Sequence, residues 1–73
     1  MRETRVRNYK VKYEENAKEG IKYLLYDLDS EEARVFFDQA RAHKYAKFED
    51  DSERQYTLSY NSDGTYTLTR RSY

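Results

Sequence analysis

The chain has 73 residues, 38% of them charged, with fourteen basic and fourteen acidic side chains balancing to zero and a mean hydropathy of −1.28. This length points to one small domain spanning 1–73 with a single core, and the balanced charge excludes a whole-molecule field that would draw nucleic acid or an anionic membrane. Cysteine is absent, which excludes disulfides and thiolate metal sites and suits a reducing, cytoplasmic setting.

Polarity this high raises the question of disorder. Nine tyrosines and three phenylalanines supply rings that can be buried while the tyrosine hydroxyls reach water, so a folded domain is expected. No apolar stretch exceeds a few residues and Met1 to Lys12 is charged, so neither a signal peptide nor a membrane span is expected. The charge falls in alternating blocks, positive over 1–12, 39–48 and 54–73 and negative over 13–38 and 49–53.

In chain order, Tyr9, Val11 and Tyr13 alternate with Lys10 and Lys12 as a half-buried strand does. Asn16 to Gly20 reads as a four-residue loop closed by a left-handed glycine. It leads into a second strand, Ile21 to Leu28, that pairs Tyr13 with Leu24, Val11 with Tyr26 and Tyr9 with Leu28. The spacing of Ala33, Phe36, Phe37 and Ala40 predicts a helix over about 30–44, with Ser30 as its cap, Glu31 and Glu32 in its first turn and His43 near its end. Tyr45 to Glu49 is the third strand, and Asp50 to Glu53 reads as a solvated turn. Tyr56, Leu58 and Tyr60 form the fourth, and Tyr66 and Leu68 the fifth. Asn61-Ser62-Asp63-Gly64 fits a three-residue loop with a bulged glycine, pairing Tyr60 with Tyr66 and Leu58 with Leu68.

The expected fold class is therefore α+β, a ββαβββ chain with a single antiparallel five-stranded sheet in the order 2-1-5-4-3 and one helix packed on one face. Phe36 and Phe37 would cover Val11, Tyr26, Leu58 and Leu68. A second arrangement is a β-grasp: residues 9–60 resemble in layout the immunoglobulin-binding domains of streptococcal protein G, and the last hairpin departs from that pattern. The absence of proline, the turn positions of both glycines and the regular alternation also suit an engineered scaffold with no biochemical function.

Little in the composition supports catalysis. His43 stands alone, with no cysteine nucleophile, no Gly-x-Ser-x-Gly elbow and no second histidine for a metal, and reads as a helix-end histidine. Neither acidic cluster, Asp27 to Glu32 or Glu49 to Glu53, has the glycine and glutamate spacing of a calcium loop. No enzyme, metal, cofactor or small-molecule substrate is expected.

Two binding readings remain. In the expected strand two, Ile21, Tyr23 and Leu25 point away from the inward set and form an apolar outer patch on an edge strand, which suits a protein partner or a second copy of the chain. A non-catalytic protein-interaction module is the leading expectation. The other reading gathers Arg2, Arg5 and Arg7 with Arg70 and Arg71 at one end of the sheet, near Tyr73, to grip phosphates and stack bases of a single-stranded nucleic acid.

Overall fold

The computed structural model describes residues 1–71, and its first element is one that the sequence pattern does not announce. Strand β1 (Arg2–Val6) pairs antiparallel with β2 (Tyr9–Tyr13), matching Val6 with Tyr9 and Arg2 with Tyr13. The two are joined by Arg7 and Asn8, whose φ angles of 47° and 76° are the pair of positive values that a type I′ hairpin turn needs. Only Thr4 and Val6 carry the inward alternation of β1, because the rest of this edge strand is charged.

Residues 15–27 are helical throughout. A 3₁₀ turn (Glu15–Ala17) runs into α1 (Lys18–Lys22) and then into a π-helical turn (Tyr23–Asp27), closed where Leu28 N–H donates to the Tyr23 carbonyl at 3.1 Å. The strand expected over 21–28 is therefore overturned. Ala17, Ile21, Leu24 and Leu28 recur at four, three and four residues, and the first three are buried on one side of the helical stretch with Leu28 packed against them. Tyr26, the partner expected for Val11, is 77% exposed.

Helix α2 (Ser30–His43) lies where its periodicity placed it. Its cap is Asp29 and not Ser30: the Asp29 carboxylate accepts from Glu32 N–H at 2.8 Å while the Glu32 carboxylate accepts from Asp29 N–H at 3.1 Å, a reciprocal capping box. The chain leaves the helix through Lys44, left-handed at φ 79°, and enters a meander of β3 (Tyr45–Glu49), β4 (Gln55–Tyr60) and β5 (Tyr66–Arg71). The last hairpin has the expected register, Tyr60 with Tyr66 and Leu58 with Leu68, and Gly64 has the positive φ, 88°, that its turn requires.

The sheet is mixed, with five strands in the order β1-β2-β5-β4-β3. The expected order 2-1-5-4-3 is corrected at one edge, where Arg2–Val6 takes the place assigned to residues 21–28. The purely antiparallel arrangement is corrected at the centre, because β2 runs parallel to β5, with Val11 beside Tyr66 and Tyr13 beside Leu68. Both corrections have one cause. Making residues 15–27 helical removes one strand reversal, so β3 starts in the direction of β2, and two hairpins later β5 shares that direction. The β-grasp alternative, which needs the same missing strand, falls with it.

Two helices, and not one, cover one face of the sheet: α2 packs on β3 and β4, and α1 with its 3₁₀ turn packs on β5. Tyr56, Phe37, Leu24, Leu58, Leu68, Val6 and Val11 are fully buried between the layers. Gly20 lets α1 approach closely. A β-carbon there would stand 2.8 Å from Cε1 of Tyr56 and 3.0 Å from Cδ2 of Leu68, so Gly20 serves close packing and not the left-handed turn expected of it. No described helix covers the opposite face, where Lys10, Lys12, Lys47, Thr57, Ser59, Thr67 and Thr69 alternate with the buried set.

Candidate anion-binding cleft

The two sets of expected binding residues fare differently. Ile21 is 6% exposed, and Tyr23 and Leu25 are half-buried against the same core, with the Tyr23 ring stacked on Phe48 at 6.0 Å between centroids. The three do not form an outer patch, because the backbone that carries them is helical and turns them toward the sheet.

The five arginines divide between the ends of the sheet, because β5 runs parallel to β2 and carries Arg70 and Arg71 away from the β1–β2 turn. Arg5 lies opposite Lys10 near that turn. Arg7 is half-buried: its Nε donates to the Leu24 carbonyl at 3.1 Å, and one terminal nitrogen donates to the carbonyls of Leu25 at 2.8 Å and Leu28 at 2.7 Å. These carbonyls belong to the last turn of a helical segment, where no intrahelical donor remains and a cation is favoured. Arg7 is a structural clamp that offsets the strained turn it sits in. At the other end, Arg2 is ion-paired with Glu15, while Arg70 and Arg71 follow one another at the end of β5. Tyr73 lies outside the described residues.

A residue that sequence reasoning placed in solvent organises this second end. Asp50, expected in a solvated turn, is buried and accepts four hydrogen bonds: from Ser52 N–H at 2.9 Å, Arg54 N–H at 3.0 Å, Arg54 Nε at 2.8 Å and the Tyr56 hydroxyl at 3.0 Å. Burial by itself would push its carboxyl up, but the N–H and guanidinium of Arg54, the Tyr56 hydroxyl and the N–H of Ser52 hold it below the usual carboxylate range. Burial and the neighbouring Asp50 in turn push the Tyr56 hydroxyl up to about 12. The spacing of donors, two, four and six residues beyond Asp50, was the available signal.

Fixed in this way, Arg54 becomes one wall of a cleft of about 600 Å³ lined by Asn16, Ser52, Glu53, Arg54, Gln55, Arg70 and Arg71. The lining brings Arg54, Arg70 and Arg71 together with Asn16, Ser52, Gln55 and Glu53, and Arg54 is in addition paired with Asp50 at 2.8 Å and with Glu19 at 4.0 Å. Arg71 Nε is buried with no hydrogen-bond partner among the described residues. Arginine's planar fork matches the oxygens of phosphate or carboxylate with two parallel bonds, so the arrangement suits a multiply charged oxyanion.

A smaller cleft of about 350 Å³ lies at the β1–β2 end, where Tyr9, Tyr60 and Tyr66 meet Asn8, Lys10, Arg41 and Gly64. Its rings are committed to one another: Tyr9 stacks on Phe37 at 4.0 Å, and Tyr66 meets Tyr9 edge-on and Tyr60 at a tilt. This cleft is the rim of the core and offers no free stacking platform. His43 is exposed at the end of α2. Among the described residues, no group of three or more histidine, cysteine, aspartate or glutamate side chains can hold a metal ion, and no helix is long and apolar enough to cross a membrane. Comparisons with protein-family models, with curated proteins and with solved structures gave no match to the chain.

Proposed function

We propose that the chain is a non-catalytic binding module that holds the phosphate backbone of a single-stranded nucleic acid in the cleft between the 50–55 turn and the end of β5. The observation that carries this reading is the convergence of Arg54, Arg70 and Arg71 on one concave site with a single carboxylate in its lining. Arg54 is preorganised by Asp50, so little side-chain freedom is lost when it meets a phosphate. A concave cleft at the end of a sheet admits a flexible strand more readily than the convex surface of a duplex. With zero net charge there is no long-range attraction, so contact is short-ranged and confined to the cleft.

Fluorescence anisotropy with labelled mixed-sequence single strands of DNA and RNA, and with a duplex as control, tests this. The expected result is single-strand binding at low salt that Arg70→Glu and Arg71→Glu abolish; Arg70 is exposed, so its reversal leaves helix content unchanged. Binding that is absent at low salt, or that survives both reversals, would overturn the proposal.

A further inference from the structure

Strand β3 ends the sheet, and its backbone is open on one side. The β4 hydrogen bonds at either end of it run from Tyr60 N–H to the Lys44 carbonyl at 2.8 Å and from Asp50 N–H to the Arg54 carbonyl at 3.0 Å. In an antiparallel ladder the bonded pairs alternate, so Lys44, Ala46, Phe48 and Asp50 face β4 with their backbone groups. Tyr45, Lys47 and Glu49 therefore present their N–H and C=O groups outward, the feature that templates pairing with another strand.

Charge then discriminates among the ways a second copy can pair with this edge. Two-fold antiparallel pairing centred on Lys47 sets Lys47 against its own copy, which is unfavourable. Centring the two-fold axis on Phe48 sets Lys47 opposite Glu49 of the second copy, and Glu49 opposite its Lys47, so both cross-strand pairs are attractive. Tyr45, 51% exposed, gives the strand itself an apolar surface beside these charges.

We propose that β3 is the seam of a two-fold homodimer in which two sheets join into one of ten strands, with Lys47 of each copy opposite Glu49 of the other. The opposite edge, β1, alternates Glu3 and Arg5 in the same way but has no comparably exposed apolar side chain over the described residues that follow Met1.

Light scattering over a concentration series, on the wild type and on charge-exchanged variants, tests the seam. Lys47→Glu opposes two glutamates and Glu49→Lys opposes two lysines, and each weakens dimerisation by roughly tenfold or more. The double exchange K47E/E49K restores it. Mixing the two single variants, each monomeric alone, restores a dimer as well, because 47 and 49 are then complementary between unlike copies. That result also shows that neither variant has failed to fold. Exchange of Glu3 and Arg5 leaves the association unchanged. A wild type that stays monomeric at every concentration, single exchanges that leave the dimer intact, or a mixture that does not associate would each overturn the proposal. Nucleic-acid binding is read separately and is unaffected by these outcomes.

Discussion

Replacing Gly20 with alanine puts a methyl group where α1 meets the sheet. In a solvent-facing helix position the same change stabilises by about 1 kcal/mol, because glycine has the greater freedom to lose on folding. Here the new carbon would stand 2.8 and 2.9 Å from two atoms of the Tyr56 ring, closer than carbon atoms approach in packed interiors, and 3.0 Å from a Leu68 methyl, tighter than an ordinary contact. Neither neighbour can give cheaply: Leu68 and Tyr56 are fully buried, and the Tyr56 hydroxyl is tied to Asp50. Overpacking costs about 1–3 kcal/mol, and with both Tyr56 contacts under 3.0 Å the upper part of that range applies, about 2–3 kcal/mol, so after the helix gain a net loss of about 1–2 kcal/mol is expected. That lowers the melting temperature of so small a domain by roughly 4–15 °C. Urea unfolding followed by circular dichroism reads the difference. A Gly20→Ala variant as stable as the wild type, or more so, would show that α1 does not approach β4 and β5 as described.

The other polar joints make their own predictions. Arg7→Gln should destabilise by about 1–3 kcal/mol, since the last-turn carbonyls of Leu24, Leu25 and Leu28 lose a charged donor, whereas Arg5→Gln should leave the unfolding midpoint in place. The lowered Asp50 carboxyl adds stability that is present above the unfolded carboxylate range near pH 4 and is lost as pH falls through its folded value. Acid unfolding should thus shift to higher pH in the Tyr56→Phe variant, which removes one of the donors. Tyr56 has the opposite sign: its raised hydroxyl adds stability present below about pH 10 and lost as pH rises toward about 12, so the wild type should weaken over that interval more than Tyr56→Phe does. Gly64→Val forces a β-branched side chain to a φ of 88° and should cost about 1–2 kcal/mol; equal stability by thermal melting would contradict the turn assignment.

What could be read directly from the sequence follows from how cleanly each segment carries one period. The strands β3, β4 and β5 alternate without interruption, α2 holds a stripe at Ala33, Phe37 and Ala40, and all four lie where the pattern puts them. Residues 21–28 carry both periods: Leu24, Tyr26 and Leu28 alternate as a strand would, while Ala17, Ile21, Leu24 and Leu28 repeat as a helix does. Short apolar runs do not resolve that ambiguity, and burial against Tyr56 and Leu68 decides it. Strand β1 escaped notice because an edge strand needs little apolar surface, and Val6 is its single fully buried residue. The candidate site was legible only in part. Arg70 and Arg71 stand out as adjacent cations at the end of a strand, but the partners of Arg7 lie 17 to 21 residues away, where no local pattern points to them. Asp50 looked like one more acid in an acidic run until the chain folded its own donors around it.

A salt titration of single-strand binding tests the central functional claim most directly. Arg54 is already paired with Asp50, so neutralising up to two phosphates with Arg70 and Arg71 gives a log–log slope of about −1.4, and affinity should fall roughly sevenfold between 50 and 200 mM salt. Arg70→Ala should make the slope shallower by about 0.7. A slope near zero, or one that Arg70→Ala leaves unchanged, would contradict the assignment of the cleft to a phosphate backbone.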